Sequence, residues 1–116
     1  MPRELYLVTP TPVNIEALVA AAAVVDDQLA MRALYGGAAL QLVDDNDMAV
    51  LTIENSRLLQ DSLDAGLMTS GLDLGGSELW WTEAVCPWGA SGEPGVEVAC
   101  GIARVLRGQL RVEDGT

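Results

Sequence analysis

The sequence predicts an α+β fold: one largely antiparallel sheet of about five to six strands with two main helices on one face. Three observations carry that prediction. Successive β-like runs are joined by turns as short as Gly36-Gly37 and Asp44-Asp45-Asn46-Asp47, which suits an antiparallel meander. Two further segments repeat apolar residues at helical spacing. With 116 residues, half of them apolar and a fifth charged, the chain fits a single globular domain over residues 1–116.

Leu5 to Val8 is a short apolar run closed by Thr9-Pro10-Thr11-Pro12, and it reads as the first strand. Thr11 is the expected N-cap of the first helix, with Pro12 at the first helical position. Ile15, Leu18, Val19, Ala22 and Val25 then follow the 3.6-residue period as far as Asp26 and Asp27. Leu29 to Tyr35 and Ala38 to Val43 flank Gly36-Gly37, a dipeptide that accepts positive φ at both turn positions, and so predict a hairpin. After the aspartate-rich turn, Met48 to Glu54 completes a three-stranded meander.

Ser56 to Met68 fits a short helix through Leu58, Leu59, Leu63 and Leu67, although Asp61, Asp64 and Gly66 also suit an irregular excursion. Thr69 to Ser77, with Gly71, Gly75 and Gly76, reads as a surface loop, and Glu78 to Val85 as a strand. Pro94 falls in the first turn of the second helix, whose buried stripe is expected to be Val98, Ile102, Val105 and Leu106. Arg104 and Arg107 in the last turn, followed by Gly108 as a left-handed cap, end it. Leu110 and Val112 alternate with polar neighbours in a closing edge-type strand.

The composition excludes several kinds of chemistry. There is no histidine and no lysine; the six basic residues are all arginine, set against seventeen carboxylates for a net charge of −11. Without imidazole the chain lacks the usual general base and the commonest metal ligand, and without lysine it lacks Schiff-base and phosphate-loop chemistry. The expectation is a non-catalytic protein with no cofactor and no bound metal. The acidic turn at 44–47 lacks the glycine and glutamate spacing of a calcium loop and reads as a solvated β-turn.

A charge of −11 disfavours nucleic acid and anionic membranes as partners, and favours the steered approach of a basic protein. Met1-Pro2-Arg3-Glu4 lacks the form of a signal peptide, and the apolar run Val13 to Val25 is too short to span a bilayer, so a cytoplasmic location is expected. Cys86 and Cys100 form no Cys-x-x-Cys pair and are expected as two buried, reduced thiols. The lysine-free composition, rich in alanine, glycine and valine, is that of a GC-rich genome and suggests a bacterial source.

The aromatic residues are the most informative. Neighbouring strand residues point to opposite faces, so Trp80 and Trp81 are divided between the two faces of the sheet. One of them lies on the face without helices, either exposed as a docking residue with Trp88 extending the patch, or covered by the Thr69–Ser77 loop. The leading expectation is an acidic protein-interaction domain in the manner of an immunity protein, antitoxin, inhibitor or secretion chaperone. It would use Trp80, Trp81 and Trp88 on the open sheet face to hold a protein partner, basic in character, or a second copy as a homodimer. The alternative is a small-molecule domain or sparsely furnished enzyme with a pocket between helices and sheet. There Arg32 or Arg57, beside Tyr35, Tyr6 or Trp88, would hold an anionic ligand.

Overall fold

The computed structural model describes residues 3–59 and 79–113. They form β1 (Arg3–Thr9), α1 (Ile15–Val25), β2 (Ala30–Leu34), β3 (Ala39–Val43), β4 (Ala49–Glu54), β5 (Arg57–Leu59), β6 (Leu79–Cys86), α2 (Glu93–Leu106) and β7 (Gln109–Glu113). The strands make one antiparallel sheet in the order β2-β3-β4-β6-β1-β7, with β5 also paired to β6. The α+β class and the antiparallel sheet agree with the sequence. Arg57–Leu59, expected at the start of a short helix, is instead a strand set against Trp81–Leu79. The rest of that expected helix and the Thr69–Ser77 loop lie outside the described residues.

Alternation along β1 divides the molecule. Leu5 and Leu7 point to the helix side and are fully buried, while Tyr6 and Val8 point to the other side. Both helices lie on the first side, where Leu18, Val98 and Ile102 meet Leu5, Leu7, Leu51 and Ile53. Full burial of each such leucine, valine or isoleucine contributes roughly 1.5–3 kcal/mol. The two buried polar side chains there are both answered. Thr9 Oγ1 donates to the Thr11 carbonyl at 2.6 Å, and Thr82 Oγ1 lies 2.6 Å from Ser56 Oγ. Ser56 marks the break between β4 and β5, and it also accepts from the Val13 N–H at 2.9 Å, tying the entry of α1 to the sheet.

Helix ends differ from expectation in detail. Asn14, not Thr11, caps α1, its side-chain oxygen accepting from the Ala17 N–H at 2.8 Å; the first helical residue is Ile15, which leaves Thr11 three residues too early to serve. α2 begins with Pro94 in its first turn, as expected, but the left-handed residue at its end is Arg107 (φ 59°) rather than Gly108. The Gly108 N–H donates to the Ala103 carbonyl at 2.8 Å, which closes a Schellman turn. Gly108 is needed for a different reason: a Cβ there would lie 2.5 Å from the Val8 carbonyl oxygen. Gly95 is equally confined, since a Cβ would collide with the Val50 carbonyl and come within 2.8 Å of Cys86 Cβ.

The helices bury narrower stripes than their periodicity implies. The core-facing arc of α1 is Ala17, Leu18, Ala21 and Ala22, and that of α2 is Val98, Ala99, Ile102 and Ala103. Ile15 and Val19, expected in the stripe of α1, and Val105, expected in that of α2, are exposed. Two helices lying side by side on one sheet cover only the arcs facing the sheet and each other, and these three residues lie beyond both. Cys100 sits on the same outward side of α2, so only Cys86 is a buried thiol; both are free. No helix among the described residues is long and apolar enough to cross a membrane.

The close seat of α2 on β4 gives a stability prediction. Gly95→Ala forces the helix off the Val50 carbonyl and is expected to cost about 1–3 kcal/mol, the usual range for overpacking. Urea denaturation of the variant against the parent chain, at unchanged m-value, measures this.

Candidate functional site

The tryptophans take up three separate positions. Trp80 and Trp81 are on opposite faces, as strand geometry requires. Trp81 shares the open face with Val8, its partner in register, while Trp80 shares the helix side with Ala84 and Cys86 and is half-buried. Trp81 is only 3% exposed, in a small second cluster with Val8, Leu79 and Tyr6. Trp88 follows β6 at the opposite end, where the Arg3 guanidinium carbon lies 5.5 Å from its ring centroid. Arg3 and Val8, the β1 residues beside Trp88 and Trp81, lie about 17 Å apart at the rise of a strand, so the three indoles form no common patch.

Arg32, Arg57 and Tyr35 do not converge either. Arg32, on edge strand β2, donates to Gln41 Oε1 at 2.8 Å and pairs with Asp47 at 3.2 Å. Gln41 passes the chain on to Thr52 Oγ1 at 2.9 Å, making a polar ladder across the open face of β2, β3 and β4. Arg57 pairs with Glu83 at 3.3 Å. Tyr35 stands at the hairpin tip with φ 53° and is 85% exposed. Asp44 spends its carboxylate oxygen on the Asn46 and Met48 N–H groups, each at 2.9 Å, which accounts for the acidic turn as a turn. Among the described residues no three acidic or sulfur side chains are grouped to hold a metal.

What the sheet does assemble is a hollow of about 320 Å³ on the open face, lined by Tyr6, Trp81, Glu83, Arg111 and Glu113. Register explains the set. Tyr6 of β1 faces Glu83 of β6 on one side and Arg111 of β7 on the other, and Glu4 faces Glu113. The Tyr6 ring stacks on Trp81 with centroids 5.1 Å apart and planes 26° apart. Its hydroxyl donates to Glu4 Oε2 at 2.8 Å. Arg111 pairs with Glu113 at 3.0 Å.

The hollow is electrically negative around its phenol. The hydrogen bond to Glu4, then burial, then the charges of Glu4, Glu83 and Glu113 push the Tyr6 pKa up to about 12. The Trp81 indole N–H is buried and has no acceptor among the described residues. On the helix side, burial pushes the Cys86 thiol up, against the opposing pull of Arg3.

Sequence reasoning named Tyr6 and Trp81 but not Glu4, Arg111 and Glu113. The signal available was the alternation Glu4-Tyr6-Val8 against Leu5-Leu7, which marks β1 as a strand with a large side chain on both faces. No protein-family model, curated protein or solved structure matches this chain.

The raised Tyr6 pKa fixes a pH dependence. A phenol held protonated in the fold contributes stability that is fully present below its ordinary value of 10.0 and is lost as pH rises towards about 12. Stability is therefore expected to fall across that alkaline window, and to fall less steeply in Tyr6→Phe. Denaturant midpoints collected from pH 8 upward compare the two proteins.

Proposed function

We propose that this chain is a non-catalytic protein-interaction domain whose open sheet face receives a basic segment of a protein partner. The observation that supports it is the set of three carboxylates, Glu4, Glu83 and Glu113, ringing the half-buried Tyr6 above Trp81. A guanidinium or ammonium group seated there meets an aromatic face and carboxylates together, and the net charge of −11 steers it in.

The electrostatics favour a cation over an anion. Arg32 and Arg57 already face Asp47 and Glu83, and Arg111 faces Glu113, so an anionic ligand would have to compete with carboxylates for each of them. An incoming cation shares Glu83 and Glu113 with Arg57 and Arg111, and the net charge of −11 is what tips the field in its favour.

Calorimetric titration with a hexa-arginine peptide, against its uncharged citrulline counterpart, tests the reading. The arginine peptide is expected to bind with an affinity that falls as salt rises, and the citrulline peptide not to bind. Glu83→Gln/Glu113→Gln is expected to weaken binding about fivefold or more, in keeping with loss of close charge pairs. Asp26→Asn/Asp27→Asn, beyond α1, removes the same charge elsewhere and is expected to leave binding nearly unchanged. Equal weakening by both double variants would reduce the effect to net charge and refute the site.

A further inference from the structure

The outward side of the helix layer is apolar, although nothing in the described fold covers it. α1 has one ionisable residue in eleven, Glu16, and presents Ala20 and a Val24 that is 87% exposed. Val105 of α2, 58% exposed, stands across a groove of about 460 Å³ between the helices, with Cys100 beside it. A helix apolar all round is normally enclosed by other structure, and a contiguous apolar surface rimmed by charge marks a contact.

The geometry points to a second copy of this chain as the occupant. Glu97, Cys100, Gly101 and Arg104 follow the three-four-seven spacing that sets residues in one line along a helix, and all four line the groove. Glu97 and Arg104 lie about 10 Å apart at the rise of a helix, equidistant from the point between Cys100 and Gly101. A two-fold axis through that point lays α2 antiparallel on its own copy. Glu97 of each chain then faces Arg104 of the other, and the contact repeats on both sides of the axis.

The line is thus complementary in charge to itself, with apolar side chains flanking it. Neither Glu97 nor Arg104 is ion-paired among the described residues. The helix layer is the face opposite the hollow at Tyr6, so this dimer stands independently of the function proposed above.

Sedimentation equilibrium over a concentration series, with a charge swap, decides it. The parent chain is expected to dimerise. Glu97→Arg and Arg104→Glu each place like charges opposite one another twice and are expected to raise the dimer dissociation constant about tenfold or more. The double variant E97R/R104E restores the pairing and is expected to return to within about threefold of the parent. Both residues are exposed, and far-UV circular dichroism checks that each variant stays folded.

A short bismaleimide should join two parent chains through Cys100 and fail to join Cys100→Ser chains, Cys86 being buried. A parent chain that remains monomeric at every concentration overturns the inference and leaves the groove to a different protein. Single variants that dimerise unchanged, or a double variant that is not rescued, overturn it as well.

Discussion

β1 and β6 pair over seven positions, from Arg3 against Cys86 to Thr9 against Trp80, and the rest of the molecule is arranged around that ladder. β1 also carries β7 on its other edge, and β6 carries both β4 and β5, so these two strands join the sheet's halves. Because side chains alternate along them, one ladder supplies two unlike surfaces. The helix side receives Leu5, Leu7, Ala84 and Cys86, a continuous apolar floor on which α1 and α2 rest. The other side receives Tyr6, Val8 and Trp81, of which Val8 and Trp81 are buried, with the carboxylates Glu4 and Glu83 beside them.

Four of the six arginines are set against carboxylates. Arg3, Arg32, Arg57 and Arg111 each lie within 4 Å of a carboxylate, and all four sit on strands. Pairs as exposed as Arg32–Asp47 contribute at most about 1 kcal/mol, so their effect is to fix register and blunt repulsion rather than to hold the fold. The two edge strands illustrate it. β2 exposes Arg32 and β7 exposes Arg111, and charge on an edge discourages unplanned strand addition. Arg104 and Arg107 differ in lying at the end of α2, where positive charge opposes the negative pole of the helix.

Much of this was legible in the sequence, and the failures have two causes. The Gly36-Gly37 hairpin, the helix start at Pro94 and the division of Trp80 from Trp81 follow from local rules: glycine accepts the positive φ of the turn, proline suits a first helical turn, and neighbours on a strand face opposite ways. The phase of α1 was not legible, because in the run Ile15-Glu16-Ala17-Leu18-Val19-Ala20-Ala21-Ala22-Ala23-Val24-Val25 almost any rotation presents an apolar stripe. Which stripe is buried was decided by close packing, which selects the alanines Ala17, Ala21 and Ala22 for the tight side and turns the bulkier Val19 and Val24 outward. The group around Tyr6 escaped for another reason. Its members come from β1, β6 and β7, and only the strand order brings residues 6, 83 and 111 into one row.

The two faces have consequences for each other. A pair of chains joined through the helix layer turns both sheet faces outward, each with its own carboxylate-ringed hollow, so a partner with two basic segments would meet two sites held at a fixed separation. Linkage of that kind multiplies affinity without new contacts, provided the spacing between segments matches the span. The charge of −11 on each chain opposes such pairing at long range, but at physiological salt the repulsion is screened beyond about 8 Å. Contact is then governed by what lies within that distance. Along the groove-facing line of α2 this is one glutamate, Glu97, one arginine, Arg104, and small or apolar side chains, so the two charges on that line cancel.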